Sequence, residues 1–356
     1  MPSDSPPGLT SISDFDYDLP PEAIAQEPAA ERDAARLLVL SRPRGQVAHH
    51  VFRELPELLE PNDLLVMNRS RVFPARLLGR RRGGGQAEVL LVRPYGGGEW
   101  DALVRPGRRL RPGDTVEVGA GVRVAIQGGP RGRDARRRVR IEGPAGPAED
   151  PEALIERLGH TPLPPYIRRP DRPEDRSRYQ TVYARERGSV AAPTAGLHFT
   201  PALLERLRER GVRLADLVLH VGPGTFRPVT VDDVSRHRLD PEPFLLPPET
   251  AVAVAETRAR GGRVVAVGTT TVRVLEARAR PGGLVDPGEG ETDLVLSPGA
   301  SFRVVDALVT NFHLPRSSLL LLVCAFAGRE PVLGAYEHAL RAGYRFYSYG
   351  DAMLVR

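Results

Sequence analysis

The fold class of this chain is decided by the stretch Val264-Val-Ala-Val-Gly-Thr-Thr-Thr-Val-Arg-Val-Leu-Glu276. A buried strand is predicted over residues 263–267, since the apolar residues there do not alternate with polar ones. Gly268 and three threonines follow, and a helix is predicted over residues 271–278. A buried strand followed at once by a helix is typical of layered α/β domains.

The same alternation continues on both sides of this stretch. A helix is predicted from Pro201 to the C-cap residue Gly211, with Thr200 as its N-cap. A strand at 214–221 follows it, and a further helix at 249–260 precedes the central strand. Upstream, strands are predicted at 36–40 and 64–67 and a short helix at 151–158. We therefore expect a layered α/β domain.

The segment between residues 68 and 142 has a different pattern. Gly- and Pro-rich breaks separate short β-like runs at 87–92, 100–104, 115–118, 122–126 and 138–141. Short strands at close spacing predict a small all-β barrel or sandwich. The α/β pattern lies on both sides of it, so the β segment is expected to be an insertion. The predicted division is a flexible leader at 1–13, an α/β domain at 14–67 and 143–356, and the insertion at 68–142.

Charge is distributed unevenly between these parts. The chain has 50 basic residues, all of them arginine, against 45 acidic ones. Residues 63–142 hold 18 arginines against 8 acidic residues, net +10, which leaves the remainder at net −5. Arginines neutralise phosphates, so the β segment is expected to face a polyanion. Solvated arginines without a partner are the equal alternative.

Composition excludes several classes of protein. The 356 residues contain one cysteine, Cys324, which excludes a disulfide framework and a cysteine-rich zinc site. The N-terminus lacks the basic and apolar segments of a signal peptide. The longest apolar run, 319–327, is far shorter than the roughly 20 residues that span a membrane. We expect a soluble cytoplasmic protein with no membrane partner.

Two loops have residue types suited to a small ligand. Gly268-Thr-Thr-Thr271 lies at a helix start, where free N–H groups and the helix dipole favour an anion or carboxylate. A simply capped turn is the alternative. His220-Val-Gly-Pro-Gly-Thr-Phe226 follows a strand, and its glycines let the backbone approach a ligand closely. His220 is expected to act as a base or as a hydrogen-bond donor, or to be structural.

Two further stretches combine small and polar residues. Ala191-Ala-Pro-Thr-Ala-Gly-Leu-His-Phe-Thr200 suits contact with a flat ligand or a tight packing corner. Thr310-Asn-Phe-His-Leu-Pro315 lies between apolar runs, where polar groups are costly to bury without a purpose. The aromatic stretch 344–351 predicts a C-terminal strand packed into the core. The sequence contains no H-E-x-x-H, P-loop or nucleophile-elbow motif, so the residues alone do not identify a reaction.

Further stretches complete the pattern: Phe15-Asp-Tyr-Asp-Leu-Pro20, Arg32-Asp33 with Arg36-Leu37, Asp63-Leu-Leu-Val66 with Arg71-Val-Phe-Pro-Ala-Arg76, Gly159-His-Thr-Pro-Leu-Pro-Pro-Tyr-Ile167, and Tyr179-Gln-Thr-Val-Tyr-Ala184. With the four loops above and the C-terminal Tyr344-Arg-Phe-Tyr-Ser-Tyr-Gly-Asp351, the chain resembles the S-adenosylmethionine:tRNA ribosyltransferase-isomerase family of queuosine biosynthesis. These stretches occur in order over more than 330 residues, which makes the resemblance specific.

The resemblance implies a three-layer α/β main domain interrupted by an inserted all-β barrel. It also implies a reaction in which the ribosyl group of S-adenosylmethionine moves to 7-aminomethyl-7-deazaguanine at the wobble position of a queuosine-type tRNA anticodon. Epoxyqueuosine forms, while adenine and methionine leave. S-adenosylmethionine is thus expected as a co-substrate and tRNA as a partner, and no metal is expected.

The resemblance also guides the choice of site residues. The sulfonium acidifies the neighbouring ribose carbon, so a general base is required, with His220 and His198 as candidates and His313 as the third. The leaving adenine requires protonation or a hydrogen bond at its ring, a role open to Asn311, Thr310 or a nearby acid. Contacts to S-adenosylmethionine are expected from Thr194, Gly222, Gly224, Thr225, Gly268, Thr269, Thr270 and Thr271. Contacts to tRNA are expected from Arg71, Arg76, Arg136, Arg137, Arg138 and Arg273.

The chain departs from the family pattern at three positions. Arg69 replaces an acid, Asp240 a histidine and Ala300 a tyrosine. A divergent member with another acceptor is therefore an alternative, and a non-catalytic RNA-binding protein is a second one. A methyltransferase would carry an early G-x-G-x-G-type loop, which is absent. The sequence does not determine the oligomeric state, and we expect a monomer.

Overall fold

The structure is a computed structural model that describes residues 11–130, 135–144, 146–148, 150–226 and 229–356. Its strands are β1 Arg36–Ser41, β2 Gln46–Val51, β3 Leu64–Asn68, β4 Ser70–Val72, β5 Arg76–Arg81, β6 Gln86–Gly96, β7 Glu99–Arg105, β8 Thr115–Gly119, β9 Val122–Ile126, β10 Arg137–Gly143, β11 Gly146–Pro147, β12 Glu186–Ser189, β13 Arg213–Leu219, β14 Glu242–Leu246, β15 Val264–Val267, β16 Ala279–Arg280, β17 Leu284–Val285, β18 Gly288–Thr292, β19 Ala307–Asn311 and β20 Ala352–Val355.

The α-helices are α1 Leu55–Leu58, α2 Pro151–Leu158, α3 Asp175–Arg178, α4 Pro201–Glu209, α5 Pro248–Ala259, α6 Thr269–Ala277, α7 Ser318–Ala327 and α8 Arg329–Arg341. Short 3₁₀ helices lie at Ile12–Phe15, Pro21–Ala23, Arg32–Ala34, Phe52–Glu54, Gly107–Arg109, Thr194–His198, Pro223–Phe226, Val234–Arg236 and Pro281–Gly283. The helices predicted at 151–158, 201–210, 249–260 and 271–278 are confirmed to within two residues at their ends.

The main sheet organises the α/β part of the chain. In the described residues it has nine strands in the order β18-β14-β13-β3-β15-β19-β20-β1-β2. The four neighbours β13, β3, β15 and β19 are parallel, so their carboxyl ends meet at one edge of the sheet. Ligands in open α/β sheets bind at this edge.

Helices cover both faces of this sheet, and β15 shows why. Val264 and Ala266 pack into one apolar core, with residues of α5, α6, α7 and α8. Val265 and Val267 point to the opposite face and pack with residues of α4. Successive side chains of a strand alternate between faces, so an uninterrupted apolar run requires a layer on each side. The predicted three-layer α/β architecture is confirmed.

The predicted inserted barrel is also confirmed. Among the described residues, six antiparallel strands close on themselves in the order β5-β6-β7-β10-β9-β8, and β8 pairs back to β5. Trp100, Ala102 and Val104 of β7 point into its core in strict alternation. The sequence analysis missed β5, because Leu77 is its only buried side chain and no alternation is visible there.

The two ends of the chain differ from their predictions. Residues 1–10 of the predicted leader lie outside the described residues, whereas Ile12 is buried and its N–H donates to the Asp232 carbonyl at 2.7 Å. The C-terminal strand begins only at Ala352, after the aromatic stretch rather than within it. The aromatics Tyr344 and Phe346 are nevertheless buried, because the stretch packs as a turn against the core.

The helices of the described residues are too short or too polar to span a membrane one by one. No single helix in them has the length and apolar character to cross a bilayer. The consecutive helices α7 and α8 meet the criterion only as a pair, and they are bent by 115° relative to each other.

The seam that closes the barrel generates a prediction. A Cβ added to Gly79 in β5 would lie 2.3 Å from the Glu117 carbonyl oxygen of β8. Overpacking of this kind costs about 1–3 kcal/mol, so Gly79→Ala should lower the free energy of unfolding of the barrel. The single tryptophan, Trp100, is buried in the barrel core, so its fluorescence during urea titration measures this change.

Gly107→Ala serves as the matched control, because an added Cβ there meets no atom within 4 Å. It should leave the fluorescence midpoint unchanged. Equal midpoints for the Gly79 and Gly107 variants would contradict a tightly closed β5–β8 seam.

Candidate active site

The predicted ligand loops converge at the carboxyl edge of the main sheet. β3 ends at Asn68, β13 at Leu219, β15 at Val267 and β19 at Asn311. The chain continues from these ends into the His220 loop, the Gly268 turn and the segment that contains His313. The loops form two adjacent cavities rather than one, and Val221 lines both.

The larger of the two, the junction cavity, has a volume of about 290 Å³ and lies where the barrel meets the main sheet. The barrel contributes Val92, Arg93, Pro94 and Arg136. The α/β part contributes Arg187, Gly188, His220, Val221, Gly222, Gly224, Leu239, Asp240, Pro241, Glu242 and Pro243. It therefore brings the predicted His220 loop together with the arginine-rich segment.

His220 is held firmly in the wall of the junction cavity. Its Nδ1 lies 2.7 Å from the Ser70 hydroxyl oxygen, and Ser70 in turn lies 2.7 Å from the Ser189 hydroxyl. A Cβ on Gly188 would lie 2.6 Å from the His220 ring, so glycine is required for this close approach. Burial lowers the pKa of His220, against the opposing charge of Glu186, so the ring is neutral at pH 7.

The glycines of the His220 loop face two carboxylates. The Gly222 N–H donates to Oε1 of Glu242 at 2.7 Å, and a Cβ on Gly224 would lie 3.4 Å from Oδ2 of Asp240. Both glycines, which were predicted to contact S-adenosylmethionine, line the junction cavity rather than the notch. The side chain of Thr225 lies outside the described part of the chain.

The second cavity, the threonine notch, has a volume of about 30 Å³, room for one or two water-sized groups. It is lined by Ala192, Pro193, Thr194, Ala195, Val221, Gly268, Thr269, Thr270, Thr310, Asn311, His313 and Leu319. It brings together five of the residues predicted to bind S-adenosylmethionine or adenine, namely Thr194, Gly268, Thr269, Thr270 and Asn311, with His313 beside them.

The Gly268 turn forms as the sequence predicts. Gly268 has φ +86°, a left-handed conformation that favours glycine, and α6 begins at the next residue. Thr271 does not line the notch: it is fully buried and its hydroxyl donates to the Val267 carbonyl at 2.7 Å. The helix itself satisfies Thr271, so this placement does not fit the predicted ligand contact.

Asn311 and His313 present unpaired polar atoms in the notch. The Asn311 amide nitrogen donates to the Tyr347 carbonyl at 3.0 Å and lies 3.2 Å from Nε2 of His198. Its Oδ1 is buried and has no hydrogen-bond partner among the described residues. Nε2 of His313 lies 2.8 Å from the Thr310 hydroxyl, while its Nδ1 is likewise buried without a partner there. A buried unpaired acceptor is costly and marks a place for a ligand donor or a water.

His198 lies behind Asn311 and lines neither the junction cavity nor the notch. Its ring lies tilted against that of Phe52 with centroids 5.0 Å apart, and only 4% of the residue is exposed. Burial lowers the pKa of both His198 and His313 to about 3. His198 therefore lies beside Asn311 and outside the two cavities formed by the predicted loops.

The predicted tRNA-binding arginines differ in accessibility. Arg71 is exposed, and Arg76 is half-buried in an ion pair with Glu88 at 2.8 Å. Arg136 pairs with Asp240, and Arg138 lies 3.4 Å above the Tyr95 ring. Arg137 is buried, and its guanidinium donates to the Gly107 carbonyl at 2.6 Å. The arginine run at 136–138 thus makes mainly contacts within the protein.

The placement of Arg273 also does not fit the predicted contact with phosphate. Only 2% of it is exposed, and its guanidinium pairs with Glu242 and donates to the carbonyls of Thr292 and Leu294. Glu242 in turn accepts a hydrogen bond from the Gly222 N–H. Arg273 therefore supports the His220 loop from the interior through Glu242.

The three residues that depart from the family pattern contact other residues in the structure. Arg69 forms ion pairs with Asp216 and Glu186, and Asp240 pairs with Arg136 of the barrel. Ala300 is partly buried and packs against the main core. Both charged departures are therefore compensated by residues of opposite charge.

Sequence reasoning missed the polar residues that organise the site, chiefly Asn68, Ser70 and Ser189. All three are fully buried. Asn68 directly follows the apolar run 64–67, as Asn311 follows its own strand, so a polar residue at the end of a buried strand was the available signal. Among the described residues, no group of three or more His, Cys, Asp or Glu side chains is arranged to hold a metal ion.

Comparison with known proteins identifies the family. The profile of the family described as queuosine biosynthesis protein matches residues 12–355. The chain belongs to this family. It is 52% identical over 347 residues to the S-adenosylmethionine:tRNA ribosyltransferase-isomerase of Moorella thermoacetica, covering 97% of this chain and 99% of that one. It is 51% identical over 346 residues to the enzyme of the same name from Thermotoga maritima, with the same coverage.

A solved structure supports the same family assignment. The crystal structure of S-adenosylmethionine tRNA ribosyltransferase from Thermotoga maritima aligns with a TM-score of 0.54 at 41% identity, and covers 97% of this chain and all of that one. The resemblance inferred from the sequence motifs is therefore confirmed.

The buried histidines give a prediction about pH. Each has a folded-state pKa of about 3, below the ~6.5 of the unfolded chain, so the unfolded state binds more protons between these values. Their contribution to stability is full above about pH 6.5 and is lost as the pH falls toward 3. In urea titrations, His198→Gln and His313→Gln should each flatten this pH dependence by about 1.4 kcal/mol per pH unit.

Val252→Ala is the control, because Val252 is an exposed residue of α5 that carries no titratable group. It should leave the slope unchanged. Parallel slopes for the wild type and the two variants at buried positions would show that these rings bind protons equally in the folded and the unfolded states.

Proposed function

We propose that this chain transfers and isomerises the ribosyl group of S-adenosylmethionine onto 7-aminomethyl-7-deazaguanine in tRNA. The products are epoxyqueuosine-tRNA, adenine and methionine. The observation that carries the proposal is identity of about half of all positions, over 97% of the chain, with proteins named for this activity. The alternative of a non-catalytic RNA-binding protein has no support among these relatives.

The two adjacent cavities suit a reaction with two substrates. The junction cavity faces the arginine-rich barrel and, at about 290 Å³, has room for a flat heterocyclic base from tRNA. The threonine notch has the N-terminus of α6 on one side, which attracts a carboxylate or a hydroxyl oxygen of S-adenosylmethionine. Val221 lines both, so the two ligands would lie side by side.

Each cavity has one polar side chain suited to the reaction. His220 is the one of the three candidate histidines that lines the junction cavity, so we assign it to the reacting centre. In the notch, Oδ1 of Asn311 is a buried acceptor, which suits an N–H donor such as the amino group of adenine. Buried His313 and His198 orient neighbouring groups instead.

Contacts with tRNA are assigned to exposed arginines in the barrel and beside it. Arg71 lies in β4, just before the barrel, and the end of β7 with the connection to β8 adds Arg105, Arg108 and Arg109. Buried Arg137 binds the Gly107 carbonyl in that connection and so supports it from within. Exposed guanidinium groups are free to approach phosphates, which buried ones cannot do.

We extend the proposal to the organisation of the protein. The six barrel strands run from Arg76 to Gly143, which supports an inserted domain with boundaries near the predicted 68 and 142. A cytoplasmic monomer acting on tRNA, with S-adenosylmethionine as its co-substrate and without a metal ion, is the accompanying expectation.

A single incubation tests the reaction. The protein is mixed with S-adenosylmethionine and tRNA that carries the 7-aminomethyl-7-deazaguanine precursor, and small molecules are separated by chromatography. Free adenine with methionine, and epoxyqueuosine in the digested tRNA, are expected. S-adenosylhomocysteine would indicate a methyltransferase, and the absence of turnover would favour a binding protein.

His220→Ala is expected to lower kcat/KM in this assay by about 10²-fold or more, the usual effect of removing a group that interacts with the transition state. His50→Ala, on the far edge strand, is the control and should retain the wild-type rate. Wild-type turnover by the His220 variant would show that His220 does not belong to the reacting centre.

The tRNA surface is tested by salt dependence. Replacing Arg105, Arg108 and Arg109 together with alanine should weaken tRNA binding and reduce the slope of log Kd against log salt by about 2 to 3. Arg208→Ala with Arg210→Ala on exposed positions of the main domain is the control and should change neither. If the slope of log Kd against log salt is unchanged in the barrel variant, tRNA does not bind at these three arginines.

A further inference from the structure

A row of hydrogen bonds reaches His220 from the interior. The Val221 N–H donates to the Ser189 hydroxyl oxygen at 2.9 Å. Ser189 and Ser70 are 2.7 Å apart through their hydroxyl oxygens, and Ser70 is 2.7 Å from Nδ1 of His220. Both serines are fully buried, so water does not reach the row from outside.

The first link sets the direction of the whole row. A backbone N–H can only donate, so Ser189 accepts from Val221 and must place its own proton elsewhere. Among the described residues, the Ser70 oxygen is the one acceptor within reach of that hydroxyl. Ser70 therefore accepts from Ser189 and donates its own proton to Nδ1 of His220.

The opposite direction leaves an unpaired group. If Nδ1 carried the proton, it would donate to Ser70 and Ser70 would donate to Ser189. The Ser189 proton would then be buried without an acceptor in the described part of the chain, which costs the desolvation of that group. The same objection applies to the doubly protonated ring, because it also carries a proton on Nδ1.

We propose that His220 is held as the tautomer protonated on Nε2, and that it offers this N–H as a hydrogen-bond donor to a ligand in the junction cavity. Ser70 and Ser189 are then positioning residues that select the tautomer. The group recognised is an acceptor atom on a heterocyclic base, a carbonyl oxygen or a ring-nitrogen lone pair. The identity of that ligand rests on the proposed function, whereas the tautomer does not.

This assignment separates the two roles left open for His220. A ring nitrogen that already carries a proton cannot accept another from substrate, so the resting ring is not a general base at Nε2. It is a neutral donor in a cavity that is also lined by Arg93, Arg136, Arg187, Asp240 and Glu242. The backbone of Gly188 packs against the ring so closely that an added Cβ would lie 2.6 Å from it.

The tautomer is read directly by NMR of the full chain labelled with ¹⁵N-histidine. In spectra that correlate ring nitrogens with carbon-bound protons, Nε2 couples to two such protons and Nδ1 strongly to one. The signals that disappear in His220→Gln identify this residue. The expected result is a protonated Nε2 and an unprotonated Nδ1 at pH 7. Protonated Nδ1, or an averaged mixture of both forms, would overturn the proposal.

Variants of His220 test the second part of the proposal, that its Nε2–H donates a hydrogen bond to a ligand. In His220→Gln the amide nitrogen occupies the position of Nε2 and still donates, so kcat/KM should stay within about tenfold of the wild type. In His220→Asn the amide reaches only the position of Nδ1, and kcat/KM should fall about 10²-fold or more. If both variants lose activity equally, proton abstraction rather than hydrogen-bond donation is required of His220.

Ser70 is tested by removal and by a conservative change. Ser70→Ala should produce a mixture of His220 tautomers and raise the KM for tRNA about tenfold, with a smaller change in kcat. Ser70→Thr keeps the hydroxyl and should restore the single tautomer. A single Nε2-protonated form in Ser70→Ala would show that the serine row does not select it.

These tests distinguish the two proposals. If the wild-type protein releases no adenine from S-adenosylmethionine, the proposed function fails, but the tautomer in the free protein remains measurable. If adenine is released and the tautomer is wrong, only the inference about His220 fails.

Discussion

The site depends on the buried carboxamide of Asn68 at the end of β3. Its oxygen accepts from the N–H groups of Leu219 at 3.1 Å and Ser70 at 3.0 Å. Its nitrogen donates to the Leu219 carbonyl at 2.9 Å and to the Thr270 hydroxyl at 3.2 Å. One side chain with all four hydrogen bonds made thus joins the ends of β3 and β13 to the start of α6. Partly satisfied networks are costly in the interior, so this arrangement has little freedom to change.

Asn68 is connected to the two cavities through different side chains. On one side Ser70 leads to His220 and the junction cavity, where barrel and sheet residues meet. On the other side Thr270 leads to the notch at the start of α6, where Asn311 leaves an acceptor unpaired. The buried pair of Arg273 and Glu242 supports the glycine loop between them. Breaking a buried ion pair of this kind costs about 3–5 kcal/mol, so it makes the loop geometry specific.

Local patterns in the sequence were sufficient for the fold and for the loops of the site. The apolar run at 264–267 and the capping residues Thr200 and Gly211 predicted their elements correctly, because burial and capping act over a few neighbouring residues. The arginines were harder. The run at 136–138 lies in the most basic segment of the sequence, yet Arg137 is buried and Arg136 is paired with Asp240, a residue about a hundred positions away. The sequence gives the number of arginines in a segment. Whether each arginine is accessible to a phosphate depends on which carboxylates and carbonyls the fold places beside it.

The sequence by itself determined a three-layer α/β domain with a basic β insertion, the family, and the four loops that form the site. It did so because strand period, turn residues and motif order are local properties of the chain. Only the tertiary structure decided which of those loops share a cavity, that His198 lies behind Asn311, and that Arg273 faces inward. It also decided the direction of the row from Val221 through Ser189 and Ser70 to His220. These are relations between residues far apart in the chain, and they arise only when parallel strands place their carboxyl ends side by side.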